Sequence, residues 1–283
     1  MLLRFAVLWV ALLLGACAQQ PALTGTLTAA RLVSLPRADL LLLGEQHDSS
    51  DHHAIEREAV AQLAAAGRLA ALALEMADHG RDTRALAASA TDDEVRAALG
   101  WNERGWPWER YGPTVMAAVR AGVPVLGANL PRAGMGPATT DATLDGLLPP
   151  GALHVQRQAI RDGHCNLLPE SLIGPMTRLQ IARDRAMAAT LMAAAQPGRT
   201  VVLVAGAGHV DRELGVPRHL PPTLKAHAVK LQAGQAGARA GVFDTVWQTP
   251  ALPPQDYCAS VKPRVERRAP RHRRRRAATI PGL

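Results

Sequence analysis

Two short stretches far apart in the chain end in the same way. Leu40 to Leu43 run into Gly44-Glu45-Gln46-His47, and Val201 to Ala205 run into Gly206-Ala207-Gly208-His209. A third apolar run, Leu69 to Leu74, stops on Glu75 just ahead of a polar turn at Asp78, His79 and Gly80. Unbroken Leu, Val and Ala runs that halt at glycine have the pattern of strands buried on both faces, as in parallel sheets covered by helices. In open sheets of that kind, ligands sit beyond the carboxyl ends of the strands. Glu45, His47, Glu75 and His209 are therefore expected to converge at one cleft. The fold class is α/β: a mostly parallel central sheet flanked by helices, with a helical insertion or subdomain.

The segments between the runs fill in this order. Ser49, Ser50 and Asp51 offer N-caps for a helix through Ala54 to Ala66 that stops at Gly67. With the strands at Leu40–Gly44 and Leu69–Leu74 it makes a βαβ unit. Asp82 to Leu99 reads as short helices, and Thr91 to Glu94 have capping-box character. A helix over Pro113–Ala121 leads to a strand at Val123–Ala128. Residues 133–150, rich in Gly, Pro and Thr, read as a loop. Helices near Ala152–Asp162 and Pro175–Ala195 precede a strand at Thr200–Ala205. A Pro-rich turn at Val216–Pro222 and strands at Ala226–Leu231 and Val242–Trp247 complete the body. The helical insertion thus spans about residues 133–197, within a body of residues 35–262.

Residues 1–17 hold one early cation, Arg4, then an apolar stretch and small residues before Cys17. That is a secretory signal, too short to span a membrane. Leu14-Gly15-Ala16-Cys17 resembles the bacterial lipobox, which would make Cys17 the lipidated first mature residue, with residues 18–34 as tether. Ala18 rather than Asp after it points to the periplasmic face of a Gram-negative outer membrane.

The net charge of +8 looks like a nucleic-acid signal until it is located. Residues 264–283 hold eight Arg against one Glu, and Arg4 supplies the remaining charge, so the body is close to neutral. Nucleic acid is thereby excluded as a partner of the body. Residues 263–283 are too poor in apolar side chains to fold. The arginines suit anionic lipid headgroups, and a terminal extension with no dedicated role is the competing reading. Export allows disulfides, and Cys165 and Cys258 could pair, ligate a metal or stay free.

His47 and His209 suit a divalent metal as neutral imidazoles, with Glu45 and Glu75 as further ligands or as a base. A metal-free arrangement, with one His as general base tuned by a Glu, fits the same residues. His52 and His53, one helical turn or so after the first motif, either face the same cleft or, the favoured reading, form the solvated first turn of their helix. Trp101, Trp106, Trp108 and Tyr111 cluster in a chain with only 3% aromatic residues. Such aromatics pack cores, yet a Tyr phenolate can ligate ferric iron and flat apolar surface suits a porphyrin. Tyr111 and His164 are the candidate haem ligands.

Six short motifs, in order, carry a resemblance. They are Leu43-Gly-Glu-x-His47, Leu74-Glu-Met76, Trp108-x-x-Tyr111-x-Pro113, Ala128-Asn-Leu-Pro-Arg132, Arg183-Asp-x-x-Met-Ala188 and Gly206-x-Gly-His-Val210. Together, over about residues 35–250 and behind a lipobox, they resemble the ChaN family of haem-binding lipoproteins. That family belongs to a wider grouping with the TIKI proteins, TraB and the erythromycin esterases. The resemblance implies haem binding at an apolar cleft, a Tyr ligand, association of two copies around stacked haems and a role in iron acquisition. For that Tyr this chain offers Tyr111 and, as the poorer candidate because it lies beyond the last strand, Tyr257. In the wider grouping the positions of His47, His209, Glu45 and Glu75 form a hydrolytic site, metal-dependent in the TIKI branch. The Arg-rich tail lies outside the family's pattern.

Overall fold

The computed structural model describes residues 30–235 and 242–259. The leader with Cys17, most of the tether and the Arg-rich tail lie outside these. Among the described residues no helix is long and apolar enough to cross a membrane.

The apolar runs become a single six-stranded sheet in which every strand pairing is parallel. The strands are β1 (Leu40–Glu45), β2 (Leu69–Asp78), β3 (Val125–Asn129), β4 (Thr200–Gly206), β5 (Ala226–Ala233) and β6 (Thr245–Thr249). Their order across the sheet is β3-β2-β4-β1-β5-β6. The chain leaves β1 toward β2 on one side and leaves β4 toward β5 on the other, so the connections diverge above two adjacent central strands. A crevice at such a point is the ligand position that open α/β sheets provide.

Alternation along β1 assigns each residue to a face. Leu41 and Leu43 pack with helices α1 (Ser50–Ala65), α2 (Asp92–Leu99) and α3 (Trp108–Arg120), while Leu40 and Leu42 pack with α6 (Glu170–Ala194). Full burial of each such leucine contributes about 1.5–3 kcal/mol. Helices α4 (Arg132–Thr140) and α5 (Pro150–Gly163) form a smaller apolar cluster with the first half of α6 through Ala138, Leu179 and Ile181. This is the helical insertion, placed between β3 and β4 as the sequence suggested. The caps also follow the sequence: Ser49 accepts from the His52 amide, Thr91 and Glu94 form a reciprocal capping box, and Gly67 ends α1 at a positive φ of 67°.

Three local expectations are corrected. Residues 132–140 are helical although Gly134, Gly136 and Pro137 argue for a loop; packing on α6 overrides weak local propensity. Helix α3 begins at Trp108, five residues before the expected Pro113, because the aromatic cluster is its first turn. Strand β2 runs on through Glu75 to Asp78, so Glu75 lies within the strand. Pairing of β2 with β4 ends at Leu74, and its register with β3 shifts between Leu74 and Asp78. That irregularity turns the Glu75 side chain to the cleft, where its Oε2 accepts from the Gly206 amide at 2.8 Å.

Candidate functional site

The two Gly-x-x-His motifs lie side by side, because Glu45 pairs with Gly206 in register across β1 and β4. Each glycine makes room for the other copy. A Cβ on Gly206 would sit 2.9 Å from His47 Nε2, and one on Gly44 would sit 2.2 Å from the Val210 side chain. A side chain at Gly44 would collide with Val210 and one at Gly206 would displace His47, and this explains the repeated glycine more fully than backbone freedom does.

Glu45, His47, Glu75 and His209 converge as expected. His47 Nδ1 bonds Glu45 Oε1 at 2.8 Å, and its Nε2 stands 3.8 Å from Glu75 Oε2. His209 is wedged between Asp184 Oδ1, 2.6 Å from Nδ1, and Glu75 Oε1, 3.4 Å from Nε2. Burial would raise the Glu75 carboxyl, but the His209 and His47 charges and the Gly206 amide outweigh it and hold it at about 2. Burial would likewise lower His209, yet the Glu75 and Asp184 carboxylates push it up to about 10, so it is a buried imidazolium at neutral pH. Glu45 is raised by burial but brought to about 2 by hydrogen bonds from His47 and His53. His47 is lowered by burial and raised more by Glu45 and Glu75, for a net rise.

A second layer had little or no signal in the sequence. Asp184 appeared only inside the Arg183-Asp184 motif. His52 and His53, expected to be solvated, are buried. His52 Nδ1 accepts from the Gln46 amide at 2.9 Å, and His53 Nε2 stands 3.1 Å from Glu45 Oε2. Glu56 is wholly buried behind Glu45, and both its oxygens lack hydrogen-bond partners. Burial first, and then the Glu45 charge, push its carboxyl well above the ordinary range. Sequence periodicity placed it on α1 but could not show which face meets Glu45.

The candidate haem ligands fall in different places. Tyr111 is only 2% exposed and donates its hydroxyl to Glu45 Oε1 at 3.0 Å, so its oxygen faces inward. Burial pushes this phenol far above its ordinary range. His164 caps α5 with Nδ1 on the Ile160 carbonyl at 2.7 Å, and it shares no hydrogen bond or ion pair with the strand-end cluster. Next to it, Cys165 forms a disulfide with Cys258, which settles the state of both cysteines. This bond fastens the C-terminal segment across the cleft side of the sheet and sets Tyr257 there. Tyr257 is 50% exposed, donates to Asp48 Oδ2 at 2.6 Å and accepts from Gln46 Nε2 at 3.0 Å.

The cleft has two lobes. One, of about 500 Å³, lies over Gln46, His47, Gly206, His209 and Gln232. The other, of about 590 Å³, lies over Glu75, Trp106, Asn129, Arg132 and Arg183. Trp106 meets the His47 ring edge to face at 4.8 Å and so stands between them. Both volumes suit a drug-sized ligand. Both ring nitrogens of His209 are engaged by carboxylates, Nδ1 by Asp184 and Nε2 by Glu75. Among the described residues no group of three or more His, Cys, Asp or Glu is arranged to hold a metal ion.

Residues 32–220 match the model of a family described as haem-binding uptake, Tiki superfamily, ChaN. Among solved structures the chain is similar to one titled for cofacial heme binding to ChaN of Campylobacter jejuni. Identity is 24% and the TM-score 0.61, over 75% of this chain and 86% of that one. It also matches the type III effector HopBA1 at 19% identity and a TM-score of 0.42, over 76% and 88% of the two chains. No curated protein matches it.

Proposed function

This chain belongs to the haem-binding uptake ChaN family of the Tiki superfamily, and from that membership we propose that it is an exported, membrane-anchored haem-binding lipoprotein of iron acquisition. Lipidation at Cys17, on the periplasmic face of an outer membrane, supplies the anchor. Two acyl chains hold a protein to a bilayer durably where one does not.

The observation that carries the haem reading on this chain is Tyr257. Ferric iron takes a phenolate oxygen, and the half-exposed Tyr257 sets its hydroxyl beside Gln46 at the cleft, where it donates a hydrogen bond to the Asp48 carboxylate. That hydrogen bond and burial raise its pKa, so the iron itself must draw the proton away. Tyr111, enclosed against Glu45, is the poorer ligand, and His164, one residue from the disulfide, is the alternative on the same side. Haem bound through an exposed Tyr leaves one porphyrin face open, which suits cofacial stacking against the haem of a second copy.

Haemin titration tests this. The wild type is expected to saturate with a high-spin ferric spectrum carrying a phenolate charge-transfer band. Tyr257→Phe should lose the band and at least tenfold in affinity, and Tyr111→Phe should keep both. A shift of the haem-loaded protein to twice its mass in solution would support stacking. Weak, non-saturating binding by the wild type would sink the reading.

A second reading rests on the His47–Glu45 pair. An imidazole oriented by a carboxylate, its ring 39% exposed at the cleft, has the build of a general base, and perturbed charges mark functional sites. In this reading the protein is a metal-free hydrolase, Glu75 and His209 fixing the charge around His47. Esterase and peptidase activity lost in His47→Ala, with haem binding intact, would favour it.

A further inference from the structure

The lobe of the cleft over β2 and β3 has a chemistry that the His and Glu cluster does not use. Its walls come from the end of β2, the Asn129 end of β3, the first turn of α4, the middle of α6 and the aromatic loop before α3. Arg132 enters from α4 and Arg183 from α6. A guanidinium carries five donors in a planar fork, and several such forks in this protein are met by carboxylates. Arg178 bonds Asp145 through Nε and Nη2, Arg161 bonds Glu170 the same way, and Arg212 meets Asp244. Among the described residues, Arg132 and Arg183 have no carboxylate within ion-pair distance.

The environment sharpens the contrast. Arg183 Nε, like those of Arg157 and Arg199, is buried without a hydrogen-bond partner, and of the three it is Arg183 that lines this lobe. Helix α4 begins at Pro131 with no side-chain cap, so the amides of its first turn add positive potential beside Arg132. The acidic groups of the lobe do not cancel this. The Glu75 charge is matched by His209 and His47, and Asp184, which feels the Arg183 charge, is engaged by His209, which leaves Asp78, at the exposed edge, as the carboxylate of the lobe without a histidine partner. Met76, Trp106 and Met135 give the rest of the wall an apolar surface. Asn129 contributes shape rather than recognition, since its amide bonds the Glu75 carbonyl and the Leu130 amide.

We propose that this lobe is an anion-binding subsite in which Arg132 and Arg183 together receive a carboxylate or phosphate group of a ligand whose apolar body lies against Met76, Trp106 and Met135. The group has two chemical sources, a propionate of haem or a separate small anion. The first source rests on the haem reading; the subsite itself does not.

The test compares ligands before it compares variants. The full chain is titrated with haemin and with haemin dimethyl ester, whose propionates carry no charge. Its thermal midpoint is also followed with inorganic phosphate and with succinate. Both series are repeated in Arg132→Ala, Arg183→Ala and Arg183→Lys. If the propionate is the anion, the wild type binds haemin about tenfold or more tightly than the ester, as loss of charge-assisted hydrogen bonds would give. That preference disappears in the alanine variants while ester affinity holds, and Arg183→Lys keeps part of it. If a separate anion is bound, phosphate or succinate raises the wild-type midpoint saturably and leaves the alanine variants unmoved. A wild type that binds no haemin defeats the haem reading, and the phosphate and succinate series then decides the subsite alone. The proposal is overturned if the wild type neither prefers haemin over its ester nor responds to either anion, a result that holds even if every variant misfolds.

Discussion

The two Gly-x-x-His motifs share a sequence pattern and diverge in physics. His47 has its ring at the cleft, one nitrogen on Glu45 and the other facing Glu75 across 3.8 Å. His209, with 7% of its side chain exposed, is clamped between two carboxylates. The difference comes from what lies over each strand end. Helix α6 crosses above β4 and brings Asp184 to His209, whereas the loop after β1 leaves His47 under Trp106 and open space. One copy of the motif offers a group that can respond to a ligand, and the other supplies a fixed internal cation. A motif repeated in sequence is therefore no guide to a repeated role; the element packed against it decides.

The comparison is broken most strongly by removing each imidazole. His209→Ala leaves the buried Asp184 carboxylate without its histidine and Glu75 with only the more distant His47 and the Gly206 amide, and should cost about 3–5 kcal/mol of unfolding free energy. His47→Ala removes a partly exposed partner, and Glu45 keeps His53 and Tyr111, so about 1 kcal/mol is expected. Denaturant unfolding at neutral pH checks both, and equal losses would refute the distinction.

The pH dependence sharpens it further. His209 has a folded-state pKa raised from 6.5 to about 10. A raised histidine contributes stability that is fully present below pH 6.5 and is lost as pH climbs toward 10, at no more than about 1.4 kcal/mol per pH unit. Glu75, depressed to about 2 from 4.5, acts in the opposite window: its contribution is present above pH 4.5 and fades as pH falls toward 2. The stability of the wild type minus that of His209→Ala should accordingly decline between pH 6.5 and 10. A flat difference there would mean that His209 is neutral in the folded state.

The sheet could be read from residues alone because Leu40–Leu43, Leu69–Leu74 and Val201–Ala205 carry their burial in unbroken apolar runs. Convergence of the four named His and Glu residues followed from the strand-end rule. What escaped had its cause in tertiary packing. The helix at 132–140 is held by α6 against its own Gly and Pro content. Glu75 looked like a strand end, and only the register shift against β3 shows that the strand continues past it. Asp184 sits mid-helix on α6, where nothing local marks a carboxylate that meets a histidine 25 residues later. The Cys165–Cys258 bond needed the fold, since two cysteines 93 residues apart admit several fates.

The smallest effect is the most discriminating about the open copy. Glu45 and Glu56 are both buried glutamates that face one another, yet their carboxyls are pushed in opposite directions. Glu45 is ionised because His47 and His53 stabilise its charge more than burial penalises it. Glu56 has no such partner and faces the Glu45 charge, so burial and that charge push its carboxyl well above the ordinary range and favour the protonated form. Glu56→Gln replaces the carboxyl by a neutral group of nearly the same shape where neither oxygen has a hydrogen-bond partner, and its unfolding free energy should move by less than about 1 kcal/mol at pH 7. It should also remove the part of the stability loss with rising pH that Glu56 causes, because an acid with a raised folded-state pKa penalises the folded state increasingly above pH 4.5. Glu45→Gln leaves His47 and His53 without their counter-charge and should cost several times more. If the two substitutions cost the same at pH 7, Glu56 is ionised. The pair would then have to be treated as a shared anion, which would change the charge that His47 meets at the cleft.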